Sequence, residues 1–207
     1  MSNTYNVEKA NNSRLIIVDD RLSEDLWRRL HLSDKLAKLI QNREPLSFNL
    51  QGEWEISGVN VAMRLNKYSK DEHFSPHKDA QYAPNGDERS LFSLLIYLND
   101  NFEKGETKFH FSKVLPQHDV KGLTTREEIG AYGGLENDYE CVTIQPKQSY
   151  AVLFTHSLLH EVMAPKTQNC LAPTERLVLR TDILVKRKEK VLGFAISKEE
   201  REDYMVN

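Results

Sequence analysis

The sequence lacks the features that mark secreted, disulfide-stabilised or membrane-embedded proteins. Its 207 residues include two cysteines, Cys141 and Cys170, which are too few for a disulfide framework and lack the paired spacing of a thiolate zinc site. No apolar run approaches the roughly 18 residues that a membrane helix needs, and the amino terminus has no apolar segment typical of a signal peptide. We therefore expect reduced thiols, no membrane partner and a cytoplasmic location.

A strong charge of either sign is also missing. The chain carries 28 basic and 31 acidic residues, a formal net charge of -3, so no global field attracts nucleic acid or anionic lipid. This balance argues against a nucleic-acid partner. Internal repeats and low-complexity tracts are absent as well, and the length predicts a single domain over residues 1–207, with a flexible tail at 1–12.

The first quarter of the chain combines strand and helix patterns. Residues 14–20, RLIIVDD, have the β-branched composition of a strand. Ser23, followed by two acidic residues, predicts the capped start of a first helix. Apolar residues at helical spacing predict a second helix over residues 33–40.

From Trp54 onward, β-rich segments follow one another between clusters of Gly, Pro, Asn and Asp. They are WEISGVNVAMRLNKY, LFSLLIYLN, TKFHF, CVTIQP, SYAVLF and RLVLRTDILV. Most are too close together for crossover helices, although residues 112–140 have room for a short helix near 125–129. This spacing favours an antiparallel double sheet or barrel over a parallel α/β sheet. The charged segment after residue 185 predicts a solvated helix.

Four of the seven histidines form two pairs, His73 with His77 and His156 with His160. On helices each pair would share a face, as in a zinc site that uses all four imidazoles. However, a proline directly precedes His77, and His156 follows the apolar stretch SYAVLF, so both pairs lie in extended sequence. Residues two apart share a face of an extended chain, and His77 and Asp79 should therefore point together.

Two imidazoles and one carboxylate can occupy one face of an octahedral metal and leave the other positions open. His77 and Asp79, completed by the distant His160, would supply this arrangement, which non-heme Fe(II) oxygenases use. A structural zinc site would instead fill all four positions with protein ligands. An isolated His-x-Asp also occurs in ordinary surface loops, so the interpretation depends on further features.

Three such features indicate a pocket for a dicarboxylate. Arg176 and Arg180 lie four apart in a predicted strand and share a face, and a guanidinium can pair with a carboxylate through two hydrogen bonds. Tyr68 lies on the strand that leads to the iron motif, so its hydroxyl can reach the same cavity. Thr107 follows a turn at Gly105 and can line the pocket. The alternatives are outer-face salt bridges, a core tyrosine and an ordinary hairpin.

Taken in order, three segments resemble the Fe(II)/2-oxoglutarate dioxygenase superfamily, prolyl 4-hydroxylase-like branch, over residues 58–187. They are RLNKYSKDEHFSPHKDAQYAPNGDERSLFSLLIYLNDNFEKGETKF, LFTHSLLHEV and ERLVLRTDIL. The resemblance implies a mainly β (α+β) fold, a double-stranded β-helix or jelly roll with N-terminal helices packed on one sheet. It also implies that His77, Asp79 and His160 hold the iron and form the catalytic centre.

The resemblance further implies that Tyr68, Thr107 and a basic residue hold 2-oxoglutarate. The family spacing puts the basic residue ten positions after the distal histidine, where this chain has Cys170. An insertion of about six residues around TQNCLAP brings Arg176 into the family position, with Arg180 as the alternative.

The activity implied is hydroxylation of a substrate C–H bond, which uses Fe(II), 2-oxoglutarate and O2 and releases succinate and CO2. The resemblance also allows ascorbate as a cofactor. The branch suggests a peptidyl prolyl residue as substrate. A small-molecule hydroxylase, a nucleic-acid demethylase and a non-catalytic zinc or other metal-binding jelly-roll module stay open. Halogenating relatives have a small residue in place of the carboxylate, so Asp79 favours hydroxylation. Residues 110–140 predict either a lid over the substrate or a variable insertion.

Overall fold

The structure is a computed structural model that describes residues 12–30, 38, 52–112, 139–166 and 175–189. Within these ranges lie helix α1 (Asp20–Leu30) and strands β1 (Ser13–Val18), β2 (Trp54–Val59), β3 (Ala62–Tyr68), β4 (Phe74–His77), β5 (Glu88–Tyr97), β6 (Glu103–Lys104), β7 (Thr107–Ser112), β8 (Tyr139–Ile144), β9 (Ala151–Thr155), β10 (Leu159–Val162), β11 (Pro165–Lys166) and β12 (Arg176–Arg187).

Helix α1 begins earlier than the sequence pattern predicts. Asp19, not Ser23, caps it, because the Leu22 N–H donates to the Asp19 carboxylate at 3.0 Å. Ser23 is buried inside the helix instead, and its hydroxyl donates to the carbonyl of Val59 at 2.6 Å. The expected cap residue therefore ties the helix to the end of β2.

Two antiparallel sheets form the body of the molecule. The larger sheet has the order β1-β3-β12-β5-β9, with β2 also paired to β12, and the smaller has the order β4-β10-β7-β8. Strand β12 is central because it pairs with β3 and β2 along one edge and with β5 along the other. The fold is a double-stranded β-helix, or jelly roll, which confirms the predicted fold class.

Strand alternation divides the core between the two faces of the larger sheet. Leu94 belongs to an apolar cluster on the outer face, against which Leu26 and Trp27 of α1 pack. The next residue, Leu95, faces inward and packs with Phe154 and other residues between the two sheets. Full burial of each large apolar side chain stabilises the fold by about 1.5–3 kcal/mol. The helix thus covers one face, while the other face holds the cleft described below.

Several predictions concern segments outside the described residues. They are the second helix over 33–40, the helix near 125–129, the lid or insertion over 113–138, the insertion around Cys170 and the terminal helix after residue 189. No helix among the described residues is both long enough and apolar enough to span a membrane.

Candidate metal and cosubstrate site

The pairing of β4 with β10 brings two distant histidines together. His77 and His160 are direct partners across this antiparallel pair, and their side chains therefore lie on the same face of the smaller sheet. The centroids of the two imidazole rings are 4.2 Å apart. Strand register thus explains why residues separated by most of the jelly roll converge.

Asp79 completes the cluster from the segment that follows β4. Its backbone N–H donates to the carbonyl of His156 at 3.0 Å, which fixes the chain where the carboxylate leaves it. One carboxylate oxygen lies 3.8 Å from Nε2 of His77, and the other lies 3.8 Å from Nε2 of His160. The three donor atoms all lie within 4.8 Å of one another, so the predicted ligand set converges on a single point.

Backbone carbonyls orient both imidazoles. Nδ1 of His77 lies 2.8 Å from the carbonyl of Ser75, and Nδ1 of His160 lies 2.9 Å from that of Leu158. A carbonyl only accepts, so Nδ1 carries the proton and Nε2 presents a lone pair towards the cluster. The carbonyl of Leu158 thus orients His160, whereas the neighbouring Glu161 pairs with His110 at 3.2 Å.

The imidazoles of His77 and His160 and the carboxyl group of Asp79 are free of the protons that would block metal binding. Burial and the neighbouring His160 lower the pKa of His77 to about 4, and burial likewise lowers the pKa of His160. Aromatic rings cause part of this burial, because Phe74 stacks on His77 and Phe154 lies edge-on to His160. Burial acts to raise the pKa of Asp79, but Arg180 and the other neighbours hold it below its usual value. Two neutral imidazoles and one carboxylate are the protonation states that metal binding requires.

Arg180 and Ser93 hold the two oxygens of the Asp79 carboxylate. Nη1 of Arg180 lies 2.8 Å from Oδ1, and the Ser93 hydroxyl donates to Oδ2. Nη2 of Arg180 lies 3.6 Å from the carboxylate of Asp182, which is on the same face of β12. Sequence reasoning missed Ser93 and Asp182. The two-residue spacing from Arg180 is a signal that could have indicated Asp182.

A buried histidine that follows β9, His156, contacts two serines of the neighbouring strand β5. Nδ1 of His156 lies 3.0 Å from the Ser93 hydroxyl, and Nε2 lies 2.8 Å from the Ser90 hydroxyl. The Ser90 oxygen accepts the N–H of Tyr82 at 2.7 Å, so its own proton is free to go to Nε2. Burial lowers the pKa of His156, which is consistent with this neutral, two-partner role.

The four-histidine zinc site is not formed. All four histidines lie in the described ranges, where the cluster that could hold a metal consists of His77, Asp79 and His160 alone. His156 is used by the two serines, and His73 is exposed on the segment before β4.

A second polar group surrounds Arg176, whose side chain is almost fully buried, at 1 % exposure. Its Nη2 donates to the Thr107 hydroxyl at 2.9 Å, and that hydroxyl lies 2.9 Å from the hydroxyl of Tyr97. The guanidinium lies over the rings of Tyr68 and Tyr97, 5.0 and 5.4 Å from their centroids. The structure therefore brings the predicted residues Tyr68, Thr107 and Arg176 together and adds Tyr97.

Arg176 fits a ligand carboxylate. Among the described residues it has no carboxylate partner, and its Nε lacks a hydrogen-bond partner. A buried charge without a counter-charge is costly, so this position is suited to an anion from outside the chain. Arg180 lies elsewhere in the same cleft and already has Asp79.

The turn before Thr107 fits closely against Arg176. Gly105 has φ +68°, and a Cβ atom there would lie 2.9 Å from the ring of Phe102 and 3.3 Å from Cδ of Arg176. Only glycine combines this left-handed backbone with so close an approach.

One cleft joins the two groups. Its lining consists of Arg14, Asn66, Tyr68, Phe74, His77, Asp79, Leu95, His160, Val162, Arg176, Val178 and Arg180.

A jelly roll with an open cluster of two histidines and one carboxylate defines the class of non-heme Fe(II) oxygenases. Residues 63–181 match the model of the 2OG-Fe(II) oxygenase superfamily. This match spans more than half of the sequence, and the chain belongs to that superfamily. Fe(II) and 2-oxoglutarate are the cofactor and cosubstrate that membership of this superfamily implies.

Solved structures give more distant similarities. A Pseudomonas putida prolyl-4-hydroxylase is 14% identical, with a TM-score of 0.48 over 89% of this chain and 76% of that one. HygX from Streptomyces hygroscopicus, solved with nickel, 2-oxoglutarate and hygromycin B, is 14% identical, with a TM-score of 0.42 over 94% and 81%. An oxidoreductase of the 2OG-Fe(II) oxygenase family from Burkholderia pseudomallei is 20% identical, with a TM-score of 0.38 over 68% of this chain.

The aligned part of this chain spans about half, 48%, of that Burkholderia protein. No curated protein matches the chain. The family assignment therefore depends on the sequence match and not on these structures.

Proposed function

We propose that the protein is an Fe(II)- and 2-oxoglutarate-dependent hydroxylase whose iron is held by His77, Asp79 and His160. The observation that carries this proposal is the pairing of two features in one cleft. At one end three metal-type donors converge, and at the other a buried guanidinium, Arg176, has no carboxylate partner among the described residues.

The residues at the metal end orient and protect the centre. Carbonyl contacts at Nδ1 direct Nε2 of both histidines to the cluster, while aromatic rings exclude water from their outer sides. Asp79 contributes the single negative charge, and its presence supports hydroxylation over halogenation. When bound, Fe(II) and 2-oxoglutarate together supply the O2-dependent oxidation that hydroxylates a substrate carbon and yields succinate and CO2.

The residues at the other end bind the distal carboxylate of 2-oxoglutarate. Arg176 supplies the charge-assisted hydrogen bonds, and Thr107 with Tyr68 and Tyr97 fixes the guanidinium in place. The ion pair between Arg180 and Asp79 supports Arg176 over Arg180 for this role.

The substrate proposed first is a peptidyl prolyl residue, on the resemblance to the prolyl 4-hydroxylase-like branch. A small organic molecule is the second candidate, since the cleft combines apolar side chains with a few convergent polar groups, the lining typical of a small-molecule site.

The test begins with anaerobic protein loaded with Fe(II) and 2-oxoglutarate. We expect a metal-to-ligand absorption band, followed by succinate when O2 is admitted. His77→Ala and Asp79→Ala should abolish both signals. His73→Ala, the matched control outside the cluster, should retain them. The reverse pattern, or folded wild-type protein with neither band nor succinate, would contradict the proposal.

A further inference from the structure

Three arginines line the cleft, and two of them have a partner or an assigned ligand. Arg180 is paired with Asp79 and Asp182. Arg176 is buried and takes the distal carboxylate of 2-oxoglutarate in the proposed function. Arg14 is left, an exposed residue of β1 that forms no ion pair with any described residue.

Arg14 lies on a ledge where β1 extends the larger sheet beyond β3. We define the β1–β3 ledge as Arg14, Ile16, Arg64 and Asn66. Arg14 is the direct partner of Asn66, and Ile16 is the direct partner of Arg64. Because residues two apart share a face, all four side chains lie on the face of the sheet that holds the cleft.

The ledge combines cationic, amide and apolar groups. Arg64, like Arg14, forms no ion pair within the described part of the chain, and the two lie diagonally across the β1–β3 pair. Asn66 is buried and lines the cleft as the direct cross-strand partner of Arg14. Its amide oxygen accepts from the Asn12 amide at 3.5 Å, so the amide nitrogen is the group that can donate to a ligand. Ile16 is 60 % exposed, although it lies between these polar groups. Guanidinium and amide groups around an anion form a common recognition arrangement.

The balance of charges in the cleft indicates the charge of the ligand that the ledge binds. When the cofactors are bound, the two negative charges of 2-oxoglutarate balance the two positive charges of Fe(II). The carboxylates of Asp79 and Asp182 balance the guanidinium groups of Arg176 and Arg180. The imidazoles of the cluster are neutral. Arg14, at the wall of the cleft, and Arg64, on the same face of the sheet, then remain as positive charges without an opposite charge from the described residues. A partly enclosed cleft focuses the electrostatic attraction of such charges.

We propose that the β1–β3 ledge binds an anionic group of the primary substrate, either a carboxylate or a phosphate. Ile16 packs against the apolar part of the same molecule, and the target C–H bond is presented to the metal end of the cleft. The substrate, whether a peptide or a small molecule, therefore carries an anionic group. This inference rests on the proposed function, because it takes Arg176 as occupied by 2-oxoglutarate.

The test uses full-length protein saturated with Mn(II) and 2-oxoglutarate, so that the metal and the Arg176 position are filled. Inorganic phosphate is titrated and its phosphorus relaxation is measured, and acetate is titrated in parallel with detection of its methyl protons. Anions bound on the ledge relax faster because they are close to the paramagnetic ion. Stronger binding of phosphate or of acetate indicates which of the two groups the substrate carries.

Arg14→Gln should raise the half-saturating anion concentration about tenfold or more, the loss expected for one charge-assisted pair. Arg14→Lys, which keeps the charge but loses the planar fork, should give an intermediate value. Arg21→Gln removes an exposed arginine of α1 outside the cleft and should match the wild type. No enhancement in the wild type, or equal enhancement in Arg14→Gln, overturns the proposal.

A second measurement separates this inference from the proposed function. Succinate release is compared for matched carboxylic acids and carboxamides and for phosphate esters and their alcohols, with wild type and Arg14→Gln. Stimulation by the anionic members alone, lost in Arg14→Gln, supports the ledge. Equal stimulation by neutral members overturns it. Absence of all succinate in wild type, with anion binding intact, overturns the oxygenase proposal and leaves the anion site standing.

Discussion

Arg180 and Asp79 form a buried ion pair in which Nη1 lies 2.8 Å from Oδ1. The carboxylate thus has a counter-charge before any metal binds, and the guanidinium has one because Asp79 and Asp182 flank it. Removing one member of a buried pair leaves the other uncompensated, which is usually more costly than the pair itself is stabilising. The ion pair therefore stabilises the metal-free cleft, and a bound metal ion would share the Asp79 carboxylate with Arg180.

Arg180→Gln should lower the free energy of unfolding of metal-free protein by about 3 kcal/mol. A divalent ion supplies positive charge to Asp79, so the loss should be smaller with Mn(II) than with chelator. Urea denaturation under both conditions measures this difference. Arg28→Gln, which breaks an exposed ion pair with Asp25, should cost under about 1 kcal/mol in either condition. Equal losses for Arg180→Gln with and without metal would contradict the expectation.

Ser93→Ala should weaken metal binding about 10- to 100-fold, the usual effect of removing a group that orients a ligand. The substitution deletes the hydroxyl that donates to Asp79 and accepts from His156. Titration with Co(II), followed by its visible absorption, gives the affinity. Ser57→Ala, which removes a serine contact to Glu88 outside the cleft lining, should leave the affinity unchanged. A loss no larger than that of the control would show that Ser93 is only a packing residue.

His156→Gln should change how stability depends on pH. Because burial lowers the pKa of His156 in the folded state, only the unfolded chain binds a proton at this residue as the pH falls below about 6.5. The stability that the neutral imidazole contributes is present above this pH and is lost below it, by up to about 1.4 kcal/mol per pH unit. Denaturation of chelated protein between pH 7.5 and 5 should show a shallower decline for His156→Gln. His73→Gln, which removes an exposed imidazole outside this network, is the control for the loss of a histidine as such. Parallel curves for His156→Gln and the wild type would refute this role.

Gly105→Ala should raise the KM for 2-oxoglutarate several-fold and destabilise the protein by about 1–3 kcal/mol. The added methyl group enters a left-handed turn and presses on Phe102 and on Cδ of Arg176. Initial rates of succinate formation and thermal unfolding measure the two effects. Gly86→Ala is the matched control, since a Cβ there has nothing within 4 Å. An unchanged KM would mean that the Gly105 turn does not position Arg176.

Much of the fold and of the candidate site follows from local sequence patterns. Alternating apolar residues between Gly and Pro breaks indicate the strands, and two-residue spacing correctly places His77 and Asp79 side by side. Spacing on β12 likewise places Arg176 and Arg180 on one face. The spacing does not predict which of the two arginines pairs with Asp79. That depends on the backbone hydrogen bond between Asp79 and His156, which joins segments far apart in the chain.

Other residues of the site cannot be identified from the sequence pattern. Ser93 and Tyr97 lie in the run LFSLLIYLN, which reads as a uniformly buried strand. Only the pairing of Ser93 with Asp182 and of Tyr97 with Val178 shows that both face the cleft. Asp19 and Ser23 are both good cap residues, and the contact of Ser23 with Val59 decides between them.

Strand β12 carries Arg176 near one end of the cleft and Arg180 near the other, four residues further on. Extended geometry separates their Cα atoms by about 13 Å. Hydrogen bonds along both edges prevent the strand from sliding, so the backbone fixes the separation between Arg176 and the Arg180–Asp79 pair at the metal end. A 2-oxo diacid one carbon shorter or longer than 2-oxoglutarate should not reach the metal cluster and Arg176 at the same time, and we expect it to bind more weakly than 2-oxoglutarate.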